Sequence, residues 1–149
     1  MPIGEICNRE VVVARRDETV LQAAKLMRQY HVGTVVVVEE LDGRRVPLGI
    51  ATDRDIVVEI VAPELDAAVI TVGDIMAAEL ASVNADCGVF EAIQYMRGKG
   101  VRRLPVVDAN GELVGVVTLD DLLSLLADEL GALARLVERE QNNEASHRR

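Results

Sequence analysis

The chain is one unit written twice, and this duplication restricts its possible folds more than any other feature. The segment VLQAAKLMRQYHVGTVVVVEE from Val20 parallels VFEAIQYMRGKGVRRLPVVDA from Val89, with Val20, Ala23, Met27 and Val32 matching Val89, Ala92, Met96 and Val101. Upstream, IGEIC from Ile3 matches VGDIM from Val72 at the same spacing. Downstream, GIATDRDIV from Gly49 matches GVVTLDDLL from Gly115 after a loop three residues longer in the first copy. A copy of about 60 residues leaves too much apolar surface in water to be stable alone. The two copies are therefore expected to pack strand face to strand face about a pseudo-twofold axis, leaving clefts between them.

Within each copy, Val20, Ala23, Ala24 and Met27, and then Val89, Ala92, Ile93 and Met96, fall at i, i+3, i+4 and i+7, which is one apolar helical stripe. Thr19 with Gln22 has capping-box spacing at the start of the first helix, and Gly88 with Glu91 is a weaker version of it at the second. A β-branched run follows each helix, Thr34 to Val38 and Leu104 to Val107. After it come a turn at Asp42-Gly43 or Asn110-Gly111, another short strand and another helix. The reading is an α/β fold of two repeats, each strand-helix-strand-strand-helix. The first repeat spans 1–62 and the second 69–130, divided where Pro63 and the charged PELD stretch break the apolar pattern; 131–149 form a helical extension and a polar tail. Half of the residues are hydrophobic but only Tyr30, Tyr95 and Phe90 are aromatic, so the core is aliphatic, and Met27 and Met96 belong to it.

A formal net charge of -9 argues against nucleic acid as a partner, although local arginines can still hold a small phosphorylated ligand because screening is short-ranged. Cys7 and Cys87 lie in no metal-ligand or disulfide spacing and read as free thiols, with no metal expected. The start MPIGEICNRE has no apolar h-region, and no apolar run approaches the ~20 residues of a membrane span, so a cytoplasmic protein with no membrane partner is expected. No phosphate-binding loop, dinucleotide fingerprint, zinc-protease or nucleophile-elbow motif occurs, and the acidic residues are scattered, so the chain is not read as an enzyme. His31 reads as a helix-terminal side chain matching Gly100, and His147 as solvated.

Through VGDIM, through GVRRLPVVDANGELVGVVT and above all through the paired GIATDRD and GVVTLDD motifs, the chain resembles the cystathionine β-synthase type (CBS) domain family over nearly its whole length up to Leu130. The resemblance implies a tandem pair that binds AMP, ADP, ATP, S-adenosylmethionine or a related adenosyl compound in the inter-repeat clefts. The family pattern, Gly-hydrophobic-x-Thr/Ser-x-x-Asp, falls on Gly49, Ile50, Thr52 and Asp55 and on Gly115, Val116, Thr118 and Asp121. It implies that each Asp bonds the ribose hydroxyls and that each Thr lies near ribose or phosphate.

The chemistry is consistent with this, because a carboxylate accepts from both hydroxyls of a diol, at about 1.5 to 3 kcal/mol per charge-assisted bond. The glycines are expected to remove a Cβ from the cleft floor. Against this stands a ligand-free reading: T-x-x-D before an apolar helix is also a capping box. The copies differ where phosphate would sit. Arg54 in the first is replaced by Asp120 in the second, and Arg102 and Arg103 in the second by Gly33 and Thr34 in the first. Arg54 and Arg103 are phosphate candidates whose alternative is ordinary solvation, and the cleft that Arg103 faces is left open.

From Asp120 a long helix carries Leu123, Leu126, Leu130, Leu133 and Val137 at alternating spacings of three and four, the seam of a helix that packs on another. A homodimer is expected through it, with Gly131 a point of close approach or a break and EREQNNEASHRR a frayed tail. The functional expectation is a sensor that binds an adenosyl ligand and modulates a protein partner in trans. The alternative is a non-catalytic interaction module with empty clefts that acts through dimerisation and its C-terminal helix.

Overall fold

The computed structural model describes residues 1–77 and 80–147. The first copy runs α1 (Ile3–Ile6), β1 (Val13–Arg15), α2 (Val20–Tyr30), β2 (Thr34–Leu41), β3 (Arg44–Thr52) and α3 (Asp53–Ile56), which continues as a π-helical turn over Val57–Val61. The second runs α4 (Val72–Ile75), β4 (Val83–Asn84), α5 (Val89–Lys99), β5 (Arg103–Val107), β6 (Leu113–Thr118) and α6 (Leu119–His147). The chain divides into a unit of both sheets, Met1–Val117, and a helical unit, 118–149.

Each copy contributes a three-stranded sheet, ordered β1-β2-β3 and β4-β5-β6. In the first, β1 lies parallel to β2 and β3 antiparallel to it, joined by a tight turn in which Asp42 and Gly43 both take positive φ, 52° and 77°. That geometry selects Asp-Gly. A bulge between Val37 and Val38 places Pro47, which has no N–H to donate, at the irregularity just upstream of the Gly49 to Thr52 segment.

The four consecutive valines of β2 are explained by burial on both faces. Val35 and Val37 join Ala14, Ala23, Met27, Ala51 and Val72 on the helix side. Val36 and Val38 meet Leu113 of the other sheet, with Val11, Val13 and Val116 against them. The second cluster is the expected packing of the two copies.

The two copies also exchange their lead-in segments. Ile3 N–H donates to Cys87 O and Gly4 N–H to Ala85 O, at 2.7 and 2.9 Å, which ties α1 to the second copy. The repeat-equivalent bonds, Val72 N–H to Glu18 O and Gly73 N–H to Arg16 O, at 2.9 and 3.0 Å, tie α4 to the first. The exchange reaches the core, because Val72 of the second copy is fully buried among first-copy residues.

Thr19 and Gln22 form the expected reciprocal cap on α2, whereas α5 begins at Gly88 with no side-chain cap. Glu91 instead accepts from the Cys87 thiol at 3.7 Å, so the weaker capping box is not made. The matched helix ends His31 and Gly100 share the left-handed conformation, with φ of 53° and 67°.

The helical unit departs from expectation at its far end. α6 runs unbroken through Gly131 to His147, so the segment from Glu138 is helical rather than frayed; the last two residues of the expected tail lie outside the described residues. Good helix formers such as Glu, Arg, Gln and Ala favour the helix there without an apolar face. Leu123, Leu130, Leu133, Leu136 and Val137 are exposed on α6, and Leu136 widens the stripe expected from spacing alone.

Candidate functional site

The first-copy motif is placed by the end of β3 and the start of α3. Thr52 caps α3: Asp55 N–H donates to Thr52 Oγ1 at 3.2 Å, and Thr52 N–H donates to Asp55 Oδ2 at 2.9 Å. The capping reading of T-x-x-D is therefore realised. It does not use up the polar groups, since a carboxylate offers about four acceptor positions and the hydroxyl keeps its own proton to donate.

Beside this cap lies a cavity of about 360 Å³, within the size range of small-molecule sites. Ile50, Thr52, Asp53, Arg54 and Asp55 line it from the first copy. Ala77, Leu80 and Ala81, which follow α4, and Val101, Arg102 and Arg103 at the entry to β5 line it from the second. Ile50, Thr52, Arg54, Asp55 and Arg103 were all expected at a binding site, and here they share one hollow. Thr52 and Asp55 are half-buried, whereas Asp53 and Arg54 are exposed at the rim.

The cleft that Arg103 faces is now defined. Its guanidinium enters this cavity and donates to Thr34 Oγ1, the hydroxyl of its own repeat counterpart, while its Nε is buried without a hydrogen-bond partner. Two equivalent residues touch only where the pseudo-twofold axis passes between them. A buried unpaired donor costs about 1 to 3 kcal/mol. A ligand acceptor in the cavity is one way to offset that cost.

The two motif glycines do not form a ligand floor. A Cβ on Gly49 would lie 2.8 Å from Met76 Sδ, and one on Gly115 would lie 2.5 Å from Asn8 O and 2.8 Å from Cys7 Sγ. Both glycines make room for the lead-in segment of the opposite copy, which corrects their expected role. Val116 is also engaged by that segment: it exchanges two backbone bonds with Asn8, each 2.9 Å. Thr118 and Asp121 form a capping box at the start of α6, with bonds of 3.2 and 3.1 Å.

Four wall residues, Ala77, Leu80, Ala81 and Val101, were not identified from sequence. They are small or aliphatic and carry no polar signature; the exchange of lead-ins brings Ala77, Leu80 and Ala81 to the motif, and Val101 comes from the entry to β5. A second hollow of about 650 Å³ repeats part of that wall with Asn8, Val11, Val12 and Val32, but draws polar groups from Arg9, Glu10, Tyr30 and Arg45.

Burial raises the Cys7 thiol above its ordinary range, offset in part by Arg9, and burial followed by Glu91 raises Cys87. Both thiols stay protonated near neutrality. Among the described residues no cluster of three or more His, Cys, Asp or Glu is placed to hold a metal, and no helix is long and apolar enough to cross a membrane.

The sequence pattern of the CBS domain matches residues 3–62 and 72–128. An uncharacterized protein of Methanopyrus kandleri is 39% identical over 123 residues, which cover 83% of this chain and 61% of that protein, so the chain spans less than two thirds of that relative. Among solved structures, Hypoxic Response Protein I with two coordinated zinc ions is 31% identical with a TM-score of 0.72, over 83% of this chain and 98% of that one. A CBS domain pair in complex with 5′-methylthioadenosine and S-adenosyl-L-methionine superposes with a TM-score of 0.74, over 87% and 98% of the two chains; at 22% identity this likeness speaks for the fold alone. With its two matched repeats and their reciprocal exchange of lead-in segments, the chain belongs to the CBS domain family as a tandem pair.

Proposed function

We propose that the chain is a non-catalytic sensor module that binds an adenosyl ligand in the cavity beside Thr52 and Asp55 and passes the change to a partner protein. The observation that carries this reading is the composition of that cavity: a hydroxyl and a carboxylate from the first copy face an arginine from the second across aliphatic walls. Ile50, Ala77, Leu80, Ala81 and Val101 suit a flat base, since without aromatic side chains stacking falls to aliphatic groups. Asp55 suits a vicinal diol, and Arg54 and Arg103 suit an anionic group. AMP, ADP, ATP and S-adenosylmethionine share the adenosine part.

In this reading the two copies move relative to each other on binding, because the ligand touches both. A cytoplasmic homodimer uses the exposed leucine face of α6, which supplies the surface that a partner reads. That face also supports a second reading, in which the module acts by interaction alone and the caps at Thr52 and Thr118 are purely structural.

Thermal unfolding with AMP, ADP, ATP, S-adenosylmethionine and NAD separates the two. A ligand at 100 times its Kd adds about 2.7 kcal/mol of stability. A shift with at least one adenosyl compound is expected, and no shift with any of them would leave the interaction reading.

A further inference from the structure

We propose that the far half of α6 docks a basic amphipathic helix of a protein partner, on a strip made of Leu133 and Leu136 between Glu129 and Glu140. The inference rests on a step common to both readings above, in which α6 supplies the surface that a partner reads, and it gives that partner its chemistry.

The strip is distinct from the centre of the homodimer seam. Leu123, Leu130 and Val137 repeat every seven residues and so follow one line of the helix. Leu136 stands one residue before Val137, about 100° around the helix, and is 60% exposed. Glu129 precedes it by seven residues and Glu140 follows it by four, so the three share a second line. Leu133, also 60% exposed, lies between this line and the seam. A second helix closed on the seam meets Leu136 only at its edge. The other flank of the seam carries Ala127 and Ala134 in place of leucine. Leucine on one flank and alanine on the other leave a shallow apolar groove, the kind of surface into which an amphipathic helix lays its apolar face.

Charge identifies the occupant. Between Leu119 and Ser146 the only basic residues are Arg135 and Arg139. Each lies two residues past a seam position, Leu133 or Val137, and so about 200° around the helix, on the back of α6. Asp128, seven residues before Arg135, shares that back face, which therefore offsets its own charge. The strip does not: Glu129 and Glu140 border it, Glu138 follows Val137 on the other flank, and all three are exposed. A second copy of the strip would set carboxylate against carboxylate. Lysines or arginines on both sides of an apolar ridge satisfy the leucines and the glutamates together. From Glu129 to Glu140 the helix rises about 16 Å, so three turns of a partner helix cover it.

Fluorescence anisotropy of the full chain with two synthetic peptides of about 18 residues, roughly the length of a marginal isolated helix, tests this. Both carry leucine at heptad spacing; one has lysine at the remaining positions and the other glutamate. The lysine peptide is expected to bind at least about 30-fold more tightly, since like charges across an interface cost several kcal/mol. Leu136→Ala should weaken it about 5- to 30-fold as one apolar anchor is lost. Glu129→Gln together with Glu140→Gln should weaken it about 3- to 10-fold. Glu5→Gln together with Glu39→Gln, two exposed acids outside α6, should change it less than about twofold, which separates docking from attraction to the net charge of -9. In sedimentation velocity Leu136→Ala should keep the oligomeric state of the parent chain. The proposal is overturned by a lysine peptide that fails to bind, by a glutamate peptide that binds as tightly, by a Leu136→Ala variant that binds like the parent, or by equal losses in the two Glu→Gln pairs. Dissociation of the parent oligomer by Leu136→Ala would also overturn it, by giving the strip to a second copy. All of these outcomes leave the adenosyl cavity untouched, and a failure of every adenosyl compound to shift the melt leaves the docking strip standing under the interaction reading.

Discussion

Asp55 has two roles that a pair of substitutions separates. Its Oδ2 accepts the Thr52 N–H at 2.9 Å, a local bond that an Asn side-chain carbonyl can also accept. Asp55→Asn is therefore expected to change the stability of the ligand-free protein by less than about 0.5 kcal/mol. Asp55→Ala leaves a half-buried N–H without its partner and is expected to cost about 0.5 to 1.5 kcal/mol, or roughly 2 to 6 °C in Tm for a unit of this size. Ligand binding follows a different order. Replacing a charged acceptor by a neutral one at a ribose diol removes about 1 to 3 kcal/mol, so Asp55→Asn alone should raise the Kd for AMP about 5- to 150-fold. Circular dichroism melts give the first quantity and calorimetric titration the second. If Asp55→Asn binds like the parent chain while both variants lose the same Tm, the carboxylate is a cap and the diol argument fails.

Other consequences of the fold can be measured directly. Val72→Ala removes two buried methyl groups of the second copy from the core of the first, and should cost about 2 to 3 kcal/mol in a urea titration that keeps a single transition. Two separated transitions would contradict a shared core. His31→Gly relieves a left-handed residue with φ of 53° and should raise stability by about 0.5 to 1 kcal/mol; a fall in Tm would show that the imidazole makes up for the strain. Leu130→Glu, at a site 68% exposed, should convert dimer to monomer in sedimentation velocity with little change in helix content. An unchanged dimer would move the interface away from α6.

The duplication, the amphipathic stripes of α2 and α5 and the Asp-Gly turn were legible in the sequence because each follows from a local rule: a period, a cap or a backbone sign. The T-x-x-D motif was legible only as an ambiguity, and the structure explains why, since Asp55 caps α3 while facing a hollow. Gly49 and Gly115 were misread because a missing Cβ shows that something lies close without saying what. Here the neighbours are Met76 and the Asn8 and Cys7 pair, which belong to the opposite copy. The aliphatic wall of Ala77, Leu80 and Ala81 was illegible because it depends on how the lead-in segments cross over, and the direction of Arg103 because it depends on how the two copies meet at Thr34. The helix beyond Glu138 was missed because an apolar stripe was required of it, although propensity alone favours a helix there.

The exchange of lead-ins gives the proposed site a mechanical consequence. The wall residues that follow α4 are continuous with Val72, which is buried in the first-copy core, while Arg103 opens β5 of the second sheet and bonds to Thr34 at the head of β2. A ligand that touched only Thr52 and Asp55 would stabilise the first copy and leave the relation between copies unchanged, because a ligand shifts an equilibrium only by its difference in affinity for the two states. Reaching across to Arg103 makes binding depend on the distance between the sheets, so any state with a different separation binds less well. Under the proposed function, the divergence of the repeats at the axis, with Thr34 in one and Arg103 in the other, is what ties ligand binding to the separation of the two sheets.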